Sequence, residues 1–200
     1  VAVKIQYNKT CLQQLNRALQ IRQSALPILT AKELALRLEV HRAKQEAQQL
    51  AHDILSQQQA LERTHVLWQE FPEGLVSVAE VKTADSKIAG VPIPVFDRVI
   101  FSVERYSLIG MPAWIPAGVE MLKALVELSV REEIARRKVA VLERARRRTT
   151  QKVNLYEKVQ IPDYQEAILK IKRFLEDEEN LAKSSQKILK AKISLEEMAA

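Results

Sequence analysis

Taken in alternating steps of three and four, one column of residues runs Leu12, Leu15, Leu19, Arg22, Leu26, Leu29, Glu33, Leu36, Val40, Ala43, Ala47, Leu50, Ile54, Gln57, Leu61, Thr64 and Trp68. Only Arg22, Glu33, Gln57 and Thr64 break its apolar character. A register kept over so many heptads describes a helix with a narrow seam, the pattern of a coiled coil rather than of a globular core helix. The positions between are largely Gln, Arg, Lys and Glu, as a solvated face requires. About 57 residues at roughly 1.5 Å each give roughly 85 Å of helix. Such a helix cannot bury its stripe on itself, so the rest of the chain has to supply a partner. Pro27 conflicts with the pattern, because inside a helix it removes a backbone hydrogen bond and predicts a kink or an interruption.

The helix is expected to stop at Phe71-Pro72-Glu73-Gly74, where proline and glycine arrive together. Leu75 to Lys82 is rich in valine and reads as a strand, and Ala84 to Pro94 is turn-prone. From Phe96 to Glu104 a half-buried strand is expected, with Val99, Phe101 and Val103 on one face and Arg98, Ser102 and Glu104 on the other. These make an antiparallel hairpin, and a lone hairpin is marginal in water, so it has to lie against a helix or a partner. Tyr106 to Gly118 reads as a loop. Trp68 and Trp114 suit packing around the hairpin better than ligand stacking.

A second long helix begins near Ala117, with a seam at Met121, Leu125, Leu128, Ala135, Val139, Leu142, Val153 and Tyr156, interrupted by Glu132, Arg146 and Thr149. Pro162 then kinks the helix or separates it from another. Beyond it, Ala167, Phe174, Leu181, Ile188 and Leu195 recur every seventh position, with Tyr164 and Ile171 in a neighbouring column. Two helices leaving and returning to one middle region pair most simply as antiparallel neighbours. The expected fold is therefore mainly α: a long antiparallel two-helix coiled coil from the N- and C-terminal segments, with a small β-hairpin and loop region in the middle. In segments, 1–71 is the first helix, 72–116 the hairpin and loop region, and 117–200 the second helix.

Four glycines and seven prolines among 200 residues agree with extended helix. They also exclude a glycine-rich phosphate loop. His41 and His52 would stand about 16 Å apart along a helix, too far to share a metal with each other or with His65. Cys11 stands alone, which allows no intrachain disulfide and fits a reducing compartment. Glu132-Glu133 and Glu176 to Glu179 read as solvated helix faces. No catalytic, cofactor-binding or metal-binding constellation emerges, and the chain reads as a non-enzyme. No run of eighteen apolar residues exists to span a membrane, and the amino-terminal Val-Ala-Val-Lys-Ile-Gln lacks the plan of a secretory signal. The net charge of +6 is uneven, its excess lying between Arg131 and Lys152, where Arg136, Arg137, Arg144, Arg147, Arg148 and Lys152 are candidates for contacts with acidic partners.

Two passages resemble the D subunit of the V-type and A-type rotary ATPases. Ile88-Ala89-Gly90-Val91-Pro92-Ile93-Pro94-Val95-Phe96 is similar to the family's Ala-Gly-Val-x-Leu/Ile-Pro-x-Phe. Lys152-Val153-Asn154-Leu155-Tyr156-Glu157-Lys158-Val159-Gln160-Ile161-Pro162 resembles its Arg/Lys-Val-Asn-Ala-Leu-Glu-x-Val-x-Ile-Pro, keeping Asn154, Glu157, Ile161 and Pro162. The family's first helix usually carries Leu-Leu-Lys-x-Lys-Arg-Asp; here Ile28 to Leu34 keeps Lys32 alone of those charges. The resemblance implies a non-catalytic rotor shaft of the central stalk, turning inside a ring of A and B subunits and coupling nucleotide chemistry there to a membrane ring. It also implies an F subunit alongside the shaft, a funnel-like component (the C or d subunit) at its foot, and a cytoplasmic location peripheral to the membrane through the complex. It points to no cofactor and no small-molecule substrate. Lys32, the basic cluster, Asn154, Glu157 and Pro162 become candidate partner contacts, and Gly90, Pro94 and Phe96 candidates at the foot. Two other classes suit a basic coiled coil: a nucleic-acid-binding module, motivated by Arg144 to Arg148 but without interleaved aromatics for stacking, and a scaffold homodimer.

Overall fold

The computed structural model describes residues 5–107 and 110–199, with the side chains of His65, Ile193 and residues 195–199 outside the description. The expectations for residues 1–4 of the amino-terminal stretch and for the side chain of Leu195 therefore lie outside the described residues. In chain order the elements are α1 (Lys9–Glu62), α2 (His65–Trp68), β1 (Val76–Ile88), β2 (Val91–Val103), α3 (Ile115–Leu155), a π-turn (Tyr156–Gln160) and α4 (Ile161–Ala199). They form two compact units, one of Val1–Ala31 with Thr149–Ala200, the other Lys32–Arg148.

In the first unit the start of α1 lies antiparallel to the π-turn and α4. Tyr7 packs on Phe174, ring centroids 4.8 Å apart. Cys11 and Leu15 pack with Ala167, Ile168 and Ile171, and Arg22 reaches Gln160. As residue numbers rise on one side they fall on the other. The Asn8 side chain opens α1 by accepting the Cys11 N–H at 2.7 Å, the exchange expected of an N-cap. Pro27 sits inside α1 without ending it. Thr30 Oγ1 donates back to the Leu26 and Pro27 carbonyls in the following turn. The expected interruption at Pro27 is thus absent, because the bonds on either side of one missing N–H hold the helix.

Pro162 does not start a separate helix either. Leu155 and Ile161, which flank the π-turn, both keep right-handed helical φ and ψ, and the Ile161 N–H donates to the Tyr156 carbonyl five residues back. Pro162 has no N–H to give to Lys158, a loss with which the widened turn is compatible. A π-turn holds one residue more than the α-turn it replaces, and this corrects the expected seam of α4. Counted in three-four steps from Thr149, the column would pass through Val153, Tyr156, Gln160, Asp163, Ala167, Lys170, Phe174 and Asp177. Beyond the π-turn the residues packed on α1 are Tyr164, Ile168, Ile171 and Leu175, with Ala167 beside them, so the neighbouring column of Tyr164 and Ile171 is the one that is packed. Of the described residues in the seven-spaced column, Ala167 is buried, Phe174 lies at the margin, 44% exposed, with its ring on Tyr7, and Leu181 (70%) and Ile188 (61%) are exposed.

The second unit holds the remainder of α1, the hairpin and most of α3. Leu36, Val40 and Ala43 of α1 and Leu142 of α3 enclose the hairpin's Ile93, with Ile88 and Val91 against them. Burying both strands' apolar ends on the helices gives the hairpin the support it lacks alone. The strands are longer than expected. They run through the turn-prone stretch, and the connection is the two residues Ala89 (φ 49°) and Gly90 (φ 76°). Positive φ at both central residues is the type I′ geometry whose twist matches paired strands. Pro92 and Pro94 fit in β2 because they face Lys87 and Asp85. Those pairs alternate with the one that closes the turn, so their nitrogens point out of the ladder. Register shifts between Val78 and Glu80 and between Lys82 and Thr83 bend the ribbon, and Val103 ends on the exposed side of its expected face.

At the base of the hairpin, Leu75, Ile115 and Val119 form a second core with Phe71, Trp114 and Tyr106 against it. Trp68 lies 5.3 Å from both Phe71 and Trp114, centroid to centroid. α1 stops at Glu62 rather than at Phe71; the Thr64 hydroxyl donates to the Leu61 carbonyl and its N–H bonds the same oxygen, closing the helix with a turn.

Candidate interaction surface

The seam expected of α1 is its buried side. In the first unit Leu12, Leu15, Leu19, Arg22, Leu26 and Leu29 are all at least half-buried. In the second unit Glu33, Leu36, Val40, Ala43, Ala47, Leu50, Ile54, Leu61 and Trp68 are too, and only Gln57 and Thr64 are exposed. Two of the polar residues that broke the pattern, Glu33 and Arg22, are partners rather than defects. Glu33, a break on α1, faces Arg146, a break on α3, at 4.0 Å, and also takes Arg37 at 3.2 Å. In the first unit Arg22 donates from Nε to Gln160 Oε1 at 2.6 Å and from Nη1 to the Ala18 carbonyl at 2.9 Å. Its guanidinium lies 4.5 Å over the Tyr164 ring and 5.9 Å from that of Tyr156. Sequence reasoning noted Arg22 only as a break. The signal was present in the tyrosines and glutamine at 156, 160 and 164, four apart on one helix face.

Flanking the seam of the second unit, Lys44 pairs with Glu143 at 2.6 Å and Lys138 with Glu46 at 2.7 Å. The Lys44 hydrogen bond holds the Glu143 carboxyl below its ordinary range; partial burial opposes this, and the charges of Lys44, Arg147 and Arg146 add to it. Much of the basic cluster is neutralised along its own helix. Arg136 pairs with Glu132, Arg137 with Glu133 at 2.9 Å, and Arg147 with Glu143 at 3.8 Å. Each exposed pair contributes about 0–1 kcal/mol. Arg144 and Arg148 in the second unit are exposed and make no ion pair among the described residues, and Lys152 in the first unit is the same. Asn154 and Glu157 are exposed as well, and Pro162 lies at the surface just past the π-turn.

The hairpin candidates do come together with the helices. A Cβ on Gly90 would stand 3.9 Å from Lys32 Nζ, so the tip of the hairpin and Lys32 share one place. Pro94 and Phe96 line a cleft of about 390 Å³ with Glu46, Leu50, Arg131 and Lys138. The Arg131 guanidinium covers the Phe96 ring at 4.8 Å, a cation–π contact. Among the described residues no group of three or more His, Cys, Asp or Glu is placed to hold a metal. No helix among them is long and apolar enough to cross a membrane.

Comparison with known proteins finds sequence matches along nearly the whole chain. The family of the ATP synthase D subunit matches residues 11–191. A V-type ATP synthase D subunit from Borreliella burgdorferi is 32% identical over 197 residues, covering 95% of this chain and 95% of that one. The Chlamydia pneumoniae protein of the same description is 29% identical over 203 residues, 98% of this chain and 96% of its own. The Chlamydia muridarum one is 31% identical over 176 residues, 84% and 85% of the two chains. Helices paired through a polar-locked seam, a hairpin seated on them and a match over residues 11–191 lead to one assignment: the chain belongs to the ATP synthase D-subunit family, the non-catalytic central-stalk subunits of V-type rotary ATPases.

Proposed function

We propose that this chain turns inside a ring of alternating A and B subunits, with an F subunit bound alongside and a funnel-like component (the C or d subunit) at its foot. On this reading it stands in the cytoplasm and meets the membrane only through the complex. The observation that carries the reading is the seam of each unit: apolar side chains pack together, and two polar exceptions on α1, Arg22 and Glu33, find partners on the returning helix. Side chains packed to crystal-like density resist twisting, and a shaft that transmits torque has to resist it.

The outer faces suit a sleeve in which contacts must exchange. Arg144, Arg148 and Lys152 offer exposed charge to acidic neighbours, and exposed pairs at about 0–1 kcal/mol each are weak enough to part and re-form. The hairpin, with Gly90 near Lys32 and Phe96 under Arg131, is the part we assign to the foot. Co-expression with tagged A, B and F subunits tests the proposal: this chain is expected in the purified complex at one copy per ring. Recovery of an A–B–F assembly lacking it, or of the chain with none of them, would overturn the reading. Arg144→Glu with Arg148→Glu is expected to leave the isolated chain folded and to lower ATP hydrolysis by the assembled complex.

A further inference from the structure

The π-turn has a consequence for α4 that Pro162 alone does not explain. A proline removes one hydrogen bond and stays compatible with a kinked α-helix. Here the helix instead accepts one extra residue, and that residue rotates everything after it by about 100° relative to a regular helix. The rotation is what brings Ile171, fully buried, against the α1 seam and moves Phe174 to its margin, 44% exposed beside Tyr7. Something has to hold the chain in that phase, because Ala167 with Phe174 offers a competing apolar column.

Arg22 is placed to do so. It is half-buried in the seam, and its three contacts bracket the π-turn: Tyr156 at the first residue, Gln160 at the last, and Tyr164 one turn beyond. A planar guanidinium can donate in its plane to Gln160 while offering its face to Tyr164, which a leucine or a lysine cannot do. The Ala18 carbonyl fixes the other edge of the group to α1.

We propose that Arg22 is a positioning residue that seats the π-turn and thereby sets the rotational phase of α4 against α1. The inference rests on the geometry of the first unit and not on the rotary reading, so either can fail without the other.

Cysteine labelling in the full chain reads the phase directly. In a Cys11→Ser background, Ile171→Cys is expected to resist a maleimide and Phe174→Cys to react. With Arg22→Leu added the two should exchange, Ile171→Cys reacting on the order of tenfold faster and Phe174→Cys correspondingly slower, since protection follows burial. Deleting Lys158 together with Pro162→Ala removes the extra residue and leaves a regular helix with the downstream phase unchanged. In that background Ile171→Cys is expected to stay protected even with Arg22→Leu. A labelling pattern unaltered by Arg22→Leu overturns the proposal, and so does failure of the deletion to restore protection. Should Arg22→Leu lose its helical circular dichroism, the same pair of labels is read in Arg22→Lys, where a partial exchange supports the proposal and an unchanged pattern overturns it.

Discussion

Gly118 lies inside α3, where replacing glycine by alanine would ordinarily stabilise a helix by about 1 kcal/mol. The surroundings reverse the sign. A Cβ built there would stand 2.7 Å from Trp114 Cζ3, 3.0 Å from Cε3 and 3.4 Å from Phe71 Cε2. Carbon atoms prefer about 3.5–4.0 Å, so the indole would have to retreat by most of an ångström. It is hemmed in by Trp68 at 5.3 Å and Phe71 at 6.0 Å between centroids. Overpacking of this kind costs about 1–3 kcal/mol, so Gly118→Ala is expected to be destabilising by about 0–2 kcal/mol after the propensity gain. At about 2–4 °C per kcal/mol for a chain of this size, the thermal midpoint should fall by a few degrees. The near-ultraviolet dichroism and tryptophan emission of Trp68 and Trp114 should change with it. Thermal melts followed by both signals check this. A midpoint raised by about 2–4 °C, with unchanged emission, would mean that the aromatic group yields freely, and the packing argument would be refuted.

Leu142→Ala, at a fully buried position between α1, α3 and the hairpin tip, should cost about 2–5 kcal/mol in urea unfolding. Leu181→Ala, 70% exposed, should stay within about 0.5 kcal/mol, and equal losses would contradict the seam assigned to α4. Glu143 has a carboxyl pKa lowered from 4.5 chiefly by its hydrogen bond with Lys44. Its contribution is therefore complete above the unfolded value and lost as pH falls through the lower folded one, and at this partly exposed site it amounts to no more than about 1 kcal/mol. Urea titrations at neutral and strongly acidic pH should show that Lys44→Met removes this part of the acid dependence. Ala89 holds φ at 49° in the turn, a conformation costing a residue with a Cβ about 1–2 kcal/mol. Ala89→Gly should raise the melting midpoint, and a fall would contradict the turn type.

Much of this protein follows from local spacing. The three-four column of α1 was readable because burial on a helix depends on positions a few residues apart, and the structure buries it apart from Gln57 and Thr64. The hairpin was readable as two strands, since valine and alternating faces carry that signal. Its turn was placed too broadly because proline and glycine mark turns without saying that prolines can sit on the unpaired side of a two-stranded ribbon. Of the candidate contacts, Lys32, Gly90, Pro94 and Phe96 belong to places where helix and hairpin meet, and the family motifs pointed to them. Arg136, Arg137 and Arg147 turned out to be spoken for by glutamates on their own helix, a pairing that the four-residue spacing already contained.

Other features were decided only by the tertiary structure. Residues Glu33 and Arg146, or Arg22 and Gln160, lie far apart in the chain, and no local count says which polar interruption meets which. The phase of α4 depends on one additional residue in a single turn, after which every periodic count is displaced by one position. Spacing by itself determined that two seams existed and that they had to be buried. Which residues of the returning helix occupied its seam depended on the π-turn, because a helix transmits a local rotation undiminished to everything that follows.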